Sequence, residues 1–265
     1  MALTIAGTDS GGGAGVAADL KTFEAHGVWG TAAVTAVTAQ NTLGVQAFDI
    51  VTPELVRAQI ASVAADLGID AAKTGMLASV EVVEAVAATV AELGVGPLVV
   101  DPVLVSKHGD RLLAVDAVEA IRVRLLPLAT VVTPNLPEAE ALVGFPVRTR
   151  VDMEAAARTL LELGPAVVLV KGGHLVGEEG AGASPDCLLD ADADGPLWLE
   201  GVRLPGRHTH GTGCVLSAAI AAELARGMEP AHACVAAKRF VERAIAAGVA
   251  LGAGVGPVDP GWASR

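Results

Sequence analysis

The segment HTHGTGCVLSAAIAAELARG, residues 208–227, holds the most chemistry for its length. Gly211, Thr212, Gly213 and Cys214 stand directly before a run of apolar, helix-forming residues. If that run is a helix, the backbone N–H groups of its first turn point outward together. With the helix dipole they make an anion site suited to phosphate oxygens that gain charge during transfer. A cysteine in the first turn is expected to have its thiolate favoured, which makes Cys214 a candidate base or nucleophile. The alternative is a small core residue with no chemical task. His208 and His210 form an HxH pair without a third ligand nearby, so a loop role fits them better than a metal.

Other segments add polar groups at places where strands should end. Asp101-Pro102 closes one apolar run, and Thr133-Pro134-Asn135-Leu136-Pro137-Glu138 closes the next. The carboxyl ends of parallel strands line the crevice where open α/β sheets bind ligands. Asp101, Asn135 and Glu138 offer hard oxygen donors of the kind Mg²⁺ uses when water and substrate phosphates complete its shell. Asn135 could equally cap a helix that contains Glu138. Lys171-Gly172-Gly173-His174 follows another apolar run, where a lysine either neutralises phosphate or is simply solvated. Gln40, in TAQNT, carries an amide able to read a heterocycle that presents an amine beside a ring nitrogen. Met76, in KTGML, is either a polarisable wall or ordinary packing. The stretch GTDSGGGAG (7–15) fits a tight strand–helix connection as well as a ligand loop. It is not a dinucleotide fingerprint, because Val16 stands at the third glycine, and no Gly-Lys pair exists to make a P-loop.

These residues need a frame, and the chain supplies one. Leu3–Ala6, Ala32–Val37, Leu98–Val100, Thr130–Thr133 and Ala166–Val170 read as buried strands bounded by Gly, Pro, Asp or Asn. Helical periodicity lies between them: Val56, Ile60, Val63 and Leu67 share one face, as do Val83, Val86, Val90 and Leu93. Thr149 and Asp152 form an expected capping box before Met153, Ala157 and Leu160. Strands apolar on both faces and separated by helices imply a parallel sheet covered on each side. Cys187–Asp190 and Leu197–Leu204 read as an antiparallel hairpin at the sheet edge. Two helices, about 213–227 and 230–250, then finish the pattern, and GAGVGPVDPGW is expected to be a surface tail. No repeat or linker divides residues 1–265, so one domain is expected.

Composition closes off other classes. Thirty acidic against 18 basic residues, with 3% aromatics and no tyrosine, leave neither the electrostatics nor the stacking platforms of a nucleic-acid binder. The N-terminus MALTIAGTDS lacks the basic n-region of a signal peptide, and residues 27–48, though uncharged, contain too many Thr, Gln and Asn to span a membrane. Three cysteines, Cys187, Cys214 and Cys234, are odd in number and without a CxxC pair, which suits a reducing cytoplasm rather than a disulfide framework.

Taken in order, IAGTDSGGGAGVAADLKTF, TAVTAQNTLGVQ, AAKTGML, VVDPVLVSKHGDRLL, TVVTPNLPEAEAL, VVLVKGGH and HTHGTGCVLSAAIAAELARG resemble the bacterial hydroxymethylpyrimidine/phosphomethylpyrimidine kinases of thiamine biosynthesis. The resemblance runs from about residue 3 to 250. It implies a ribokinase-like three-layer α/β/α sandwich, with a mostly parallel central sheet and a small edge hairpin. It also implies two ATP- and Mg²⁺-dependent phosphorylations, of 4-amino-5-hydroxymethyl-2-methylpyrimidine and then of its monophosphate. On that resemblance Gln40 holds the aminopyrimidine, and Gly7, Asp19 and Met76 shape its pocket. Cys214 occupies the position of the base, and Gly211, Thr212 and Gly213 form the anion hole. Asp101, Asn135 and Glu138 organise Mg²⁺ and phosphates, while Lys171 and His174 serve the nucleotide side. A homodimer is implied as well. The sequence departs from the pattern at Trp29, Leu104 and His108. Pyridoxal kinases, with a related GTGC motif, are the nearest rival. A nicotinamide oxidoreductase would need the missing third glycine, and a non-catalytic pyrimidine sensor would have no use for a base and an anion hole.

Overall fold

The computed structural model describes residues 1–104, 115–175, 182–204 and 206–262. Its frame is one eight-stranded sheet. In chain order the strands are β1 (Ala2–Ala6), β2 (Gly30–Val34), β5 (Ala71–Thr74), β6 (Leu98–Val100), β7 (Val131–Val132), β8 (Val167–Val170), β9 (Asp186–Asp190) and β10 (Leu197–Leu199), arranged 10-9-8-7-6-5-1-2. All neighbours run parallel except β9 and β10, which return antiparallel at one edge as the sequence implied, although β10 ends at Leu199 rather than at Leu204. Strands β3 (Ala36–Asn41) and β4 (Gly44–Ile50) form a separate antiparallel pair.

Alternation along the strands explains the two cores. Leu3 and Ile5 of β1, Leu98 and Val100 of β6, and Val168 and Val170 of β8 face one side. There they meet α2 (Pro53–Asp66), α3 (Val80–Leu93), α4 (Val115–Ala120), α5 (Leu136–Val143) and α6 (Arg150–Leu161). The intervening residues Ala2, Val99, Val167 and Leu169 face the other side, against α1 (Gly15–Ala25), α7 (Thr212–Ala225) and α8 (Pro230–Ala246). Period two in the strands thus feeds helices on both faces, which is why the strand sequences read as continuous apolar runs. Helix α7 lies between the sheet and its neighbours and is buried nearly all round, which accounts for its uniform apolarity. The capping box expected at Thr149 is present: Thr149 accepts from the Asp152 N–H, and Asp152 accepts from the Thr149 N–H.

Three expectations need correction. The run Ala32–Val37 is not one strand. It breaks at Thr35, whose N–H donates to Ala6 O and whose hydroxyl donates to Met76 O, so the chain leaves the sheet and enters the β3–β4 hairpin. The helix expected over 230–250 ends at Ala246. The glycine-rich end is not a free surface tail. Val255 donates to Thr42 O, Gly254 donates to the Thr42 hydroxyl, and Val258 and Asp259 are buried. The segment is a strap from α8 to the tip of the β3–β4 hairpin, and its glycines allow the backbone to approach Thr42 and His208 closely.

Candidate active site

Helix α7 begins where two glycine turns meet. Gly211 caps it with φ +80, a left-handed conformation, and a Cβ there would collide with Gly13 O. Gly15, at φ +53, starts α1 and approaches Gly7 O just as closely. The first glycine loop therefore lies against the start of α7, backbone to backbone. Asp9 holds that loop together by accepting from the N–H groups of Gly11, Gly13 and Ala14.

Between these turns and the carboxyl ends of the strands is a cavity of about 500 Å³. Gly211, Thr212, Gly213 and Cys214 line one end of it, together with Asp101, Asn135, Glu138, Lys171 and His174. Gln40, Gly7 and Met76 line the other end, with Thr38, Val45 and Phe48 from the β3–β4 hairpin. Every expected site residue except Asp19 borders this one space. Asp19 lies one layer deeper, fully buried, accepting from Thr4 Oγ1 at 2.6 Å and from Lys73 Nζ at 3.1 Å. It reaches the cavity only through Lys73, which does line it.

Cys214 is half-buried in the first turn of α7. The expectation of a favoured thiolate does not hold for this structure. Burial pushes the thiol up to about 11, and the Lys73 ammonium and the Gly15 N–H recover only part of that rise. Desolvation outweighs the helix N-terminus here.

The charged end is tightly paired. Lys171 Nζ stands 3.0 Å from Asp101 Oδ1 and 3.9 Å from Glu138 Oε2. A Cβ on Gly213 would lie 3.4 Å from Lys171 Nζ, so this ammonium sits against the first turn of α7. Burial penalises the Asp101 carboxylate, yet Lys171 and Lys73 outweigh it and hold its pKa below the usual value. Glu138 goes the other way: burial and the nearby Asp101 charge lift it to about 7 despite Lys171. Asn135 caps α5 in a capping box, its Oδ1 accepting from the Glu138 N–H while Glu138 Oε2 accepts from the Asn135 N–H. The cap reading of Asn135 is thus present in the geometry.

Among the described residues, no group of three or more His, Cys, Asp and Glu side chains converges as a metal cage. Two carboxylates, Asp101 and Glu138, beside the N-terminus of α7 nevertheless fit a hard cation whose shell is completed by water and phosphate oxygens. His210 has no such role, being paired with Asp9 at 2.8 Å, and His208 Nδ1 accepts from the Gly256 N–H. Sequence reasoning missed Asp9 and Lys73. Both left a signal: Asp9 is the one acid inside a glycine loop, and Lys73 interrupts the apolar strand β5. Of the three departures, Leu104 is buried and Trp29 is exposed, while His108 lies outside the described residues.

A parallel sheet with helices on both faces, no P-loop, and a Gly-Thr-Gly-Cys helix start facing a small-molecule pocket define a ribokinase-like kinase. The family model for phosphomethylpyrimidine kinase matches residues 9–259. A hydroxymethylpyrimidine/phosphomethylpyrimidine kinase of Streptomyces coelicolor is 53% identical, over 99% of this chain and 95% of the relative. The chain belongs to the phosphomethylpyrimidine kinase family, and its activity is that of a hydroxymethylpyrimidine and phosphomethylpyrimidine kinase in thiamine biosynthesis. Among solved structures, an ADP complex of Bacillus subtilis pyridoxal kinase superposes with a TM-score of 0.90 at 39% identity, covering 99% of this chain and 98% of that one. The phosphomethylpyrimidine kinase of Clostridium difficile does so with a TM-score of 0.80 at 39% identity, covering 92% and 98%.

Proposed function

We propose that one domain, residues 1–265, transfers the γ-phosphoryl group of ATP first to 4-amino-5-hydroxymethyl-2-methylpyrimidine and then to its monophosphate. The observation that carries the site assignment is the cavity itself: an anion hole with a sulfur and an ammonium at one end, and a carboxamide facing apolar side chains at the other. In this reading the Gln40 amide pairs with the aminopyrimidine, while Gly7 and Met76 bound the ring. Asp19 acts from behind by holding Lys73 in place.

Phosphoryl transfer demands in-line placement and charge stabilisation more than covalent chemistry. The hydroxymethyl oxygen attacks the γ-phosphorus, its proton passes to the Cys214 thiolate, and ADP leaves. Lys73 and the Gly15 N–H favour that thiolate over what burial alone would permit. The N–H groups at Gly211, Thr212 and Gly213 receive the equatorial phosphoryl oxygens, with Lys171 beneath them. Lys171 and His174 also meet the polyphosphate. Asp101 and Glu138 would hold Mg²⁺, with Asn135 fixing Glu138; when bound, the ion neutralises phosphate charge.

The exposed apolar residues Val37, Leu43, Phe48 and Ile50 of the hairpin region support a homodimer. No helix among the described residues is long and apolar enough to cross a membrane. The fold likeness to pyridoxal kinases supports a rival reading in which the substrate is pyridoxal, which shares a hydroxymethyl group on a six-membered nitrogen ring. ADP release with Mg²⁺-ATP tests both readings. Turnover of hydroxymethylpyrimidine and its monophosphate, with little on pyridoxal, is expected. A preference for pyridoxal would keep the mechanism and overturn the substrate.

A further inference from the structure

The polar network around Gln40 contains a contact that decides which way its amide must point. Asp9 is buried, and its carboxyl is held below the usual range: burial raises it, but the His210 hydrogen bond and the loop N–H groups overcome that. His210 Nε2 lies 2.8 Å from Asp9 Oδ2, so that nitrogen must carry a hydrogen and donate it. The same nitrogen lies 3.4 Å from Gln40 Nε2, which is also a donor. Two N–H groups cannot bond each other. On the amide's other side, Thr38 Oγ1 is 3.5 Å from Gln40 Oε1, but that hydroxyl already gives its hydrogen to Thr8 O at 2.9 Å and has only lone pairs left. Exchanging the amide oxygen and nitrogen resolves both conflicts at once. The oxygen then takes the weaker arm of the single His210 N–H, shared with Asp9 as a three-centre bond, and the nitrogen donates to Thr38.

After those two contacts the carboxamide keeps one lone pair on the His210 side and one N–H on the Thr38 side. That pattern pairs with a ring edge that offers an amine donor beside a nitrogen acceptor. A ring that offers acceptors at both positions would leave the amide oxygen facing an oxygen. We propose that Asp9 and His210 are specificity-determining positioning residues: together they lock the Gln40 carboxamide in the orientation that reads an aminated ring and rejects its oxygen-substituted counterpart. The proposal rests on the reading of Gln40 as the pyrimidine-binding residue. It gives the HTH segment a task that neither the anion hole nor the base supplies. It also explains why Gly13 must be glycine, since a Cβ there would lie 2.7 Å from His210 Cδ2 and push the ring away.

Steady-state kinetics on four variants test it. Gln40→Ala should raise the hydroxymethylpyrimidine KM about tenfold, the worth of one or two neutral hydrogen bonds. His210→Phe, which keeps a ring without the N–H, should raise it similarly, with kcat and the ATP KM within about twofold of wild type. His210→Gln, whose amide can donate to both Asp9 and Gln40, should restore most of the loss. The Gln40→Ala/His210→Phe double variant should be no worse than Gln40→Ala alone, because His210 acts through Gln40. Preference for hydroxymethylpyrimidine over pyridoxal should fall in every variant that raises KM.

A wild-type KM for Gln40→Ala would remove the pyrimidine assignment of Gln40, and the inference with it. A raised KM for Gln40→Ala with penalties that multiply in the double variant would leave that assignment standing and overturn the inference alone. The inference also falls alone if His210→Phe binds normally, or loses kcat and ATP affinity without rescue by His210→Gln. Should His210→Phe fail to fold, Asp9→Asn carries the test. Without the carboxylate His210 Nε2 is released to accept, the amide turns over, and preference for the aminated ring must drop; an unchanged preference overturns the inference.

Discussion

The two ends of the cavity are built on opposite principles. At the transfer end, Asp101, Glu138, Lys171, Lys73 and Cys214 are crowded charged or ionisable groups that alter each other's proton affinities, mounted on the carboxyl ends of sheet strands and on α7. At the recognition end, Gln40, Thr38, Val45, Phe48 and Met76 are uncharged, and most stand on a hairpin outside the main sheet. Coupled buried charges tolerate little change, because removing one partner leaves another stranded in a medium of low dielectric. Neutral contacts on a separate hairpin can be exchanged one at a time at roughly 1 kcal/mol each. The difference teaches that such a scaffold would let the hairpin end be retuned to a different ring while the charged end is left alone.

The contrast can be broken hardest at Cys214. Cys214→Ala is expected to cut kcat by about 10²–10⁴-fold, the usual worth of a general base, with a normal melting curve and pyrimidine binding retained. The pH profile sharpens the point. A thiol at about 11 is protonated at neutral pH, so wild-type turnover should climb with pH between about 7 and 9, while Cys214→Asp, whose carboxylate is already ionised, should give a flatter profile. Near-wild-type kcat in Cys214→Ala would take the sulfur out of the reaction.

Glu138 tests the charge coupling through stability. Its folded value of about 7 exceeds the ordinary 4.5, so between those values the folded protein holds a proton that the unfolded chain has lost. The contribution is therefore present below about 4.5 and lost as pH rises through 7, on the order of 3 kcal/mol at most. Glu138→Gln should flatten the pH dependence of the urea midpoint across that window. An unaltered slope would show that the transfer end is less coupled than its geometry indicates.

At the recognition end the expected effects are smaller. Gly7→Ala places a Cβ 2.5 Å from Met76 Cε, which must swing into the space for the ring. Overpacking of this kind is worth ~1–2 kcal/mol, so the pyrimidine KM should rise about tenfold while kcat holds. A fall in kcat instead would mean that the two ends are not separable. Smallest of all is a control remote from both. Thr149→Ala removes the α6 cap and should cost about 1 kcal/mol of stability by denaturant titration, with kinetics unchanged.

How far the sequence disclosed these two ends also differs. The transfer end was largely legible, because GTGC before an apolar helix and polar residues after apolar strands are local patterns. What stayed hidden there was the balance of forces at Cys214. The helix start is visible in one segment, but the desolvation that defeats it comes from β5, α1 and β6, far away in the chain. The recognition end was harder to read. The run Ala32–Val37 gives no local sign of its break at Thr35, since the break is set by bonds to Ala6 and Met76. Asp19 belongs to the pocket by resemblance, yet it is displaced by Lys73, whose charge stands between it and the cavity. The strap at the end of the chain looks loose in sequence because its glycines carry no apolar pattern. Its order comes from its own N–H groups, which donate to Thr42 and to the His208 ring, partners far away in the chain that no local pattern announces.

The backbone contact between Gly13 and Gly211 bears on the order in which the enzyme comes into being. The first loop leaves the ribosome long before its partner, which follows far later in the chain. Until residue 211 arrives, the Gly13 turn lacks its partner, and the sheet strands can assemble before this end of the cavity is walled. Loop closure over so long a span is slow compared with local helix formation. Nascent chains stalled before α7 should therefore be compact yet inert, and catalytic competence should appear abruptly once α7 is made rather than accumulate during synthesis.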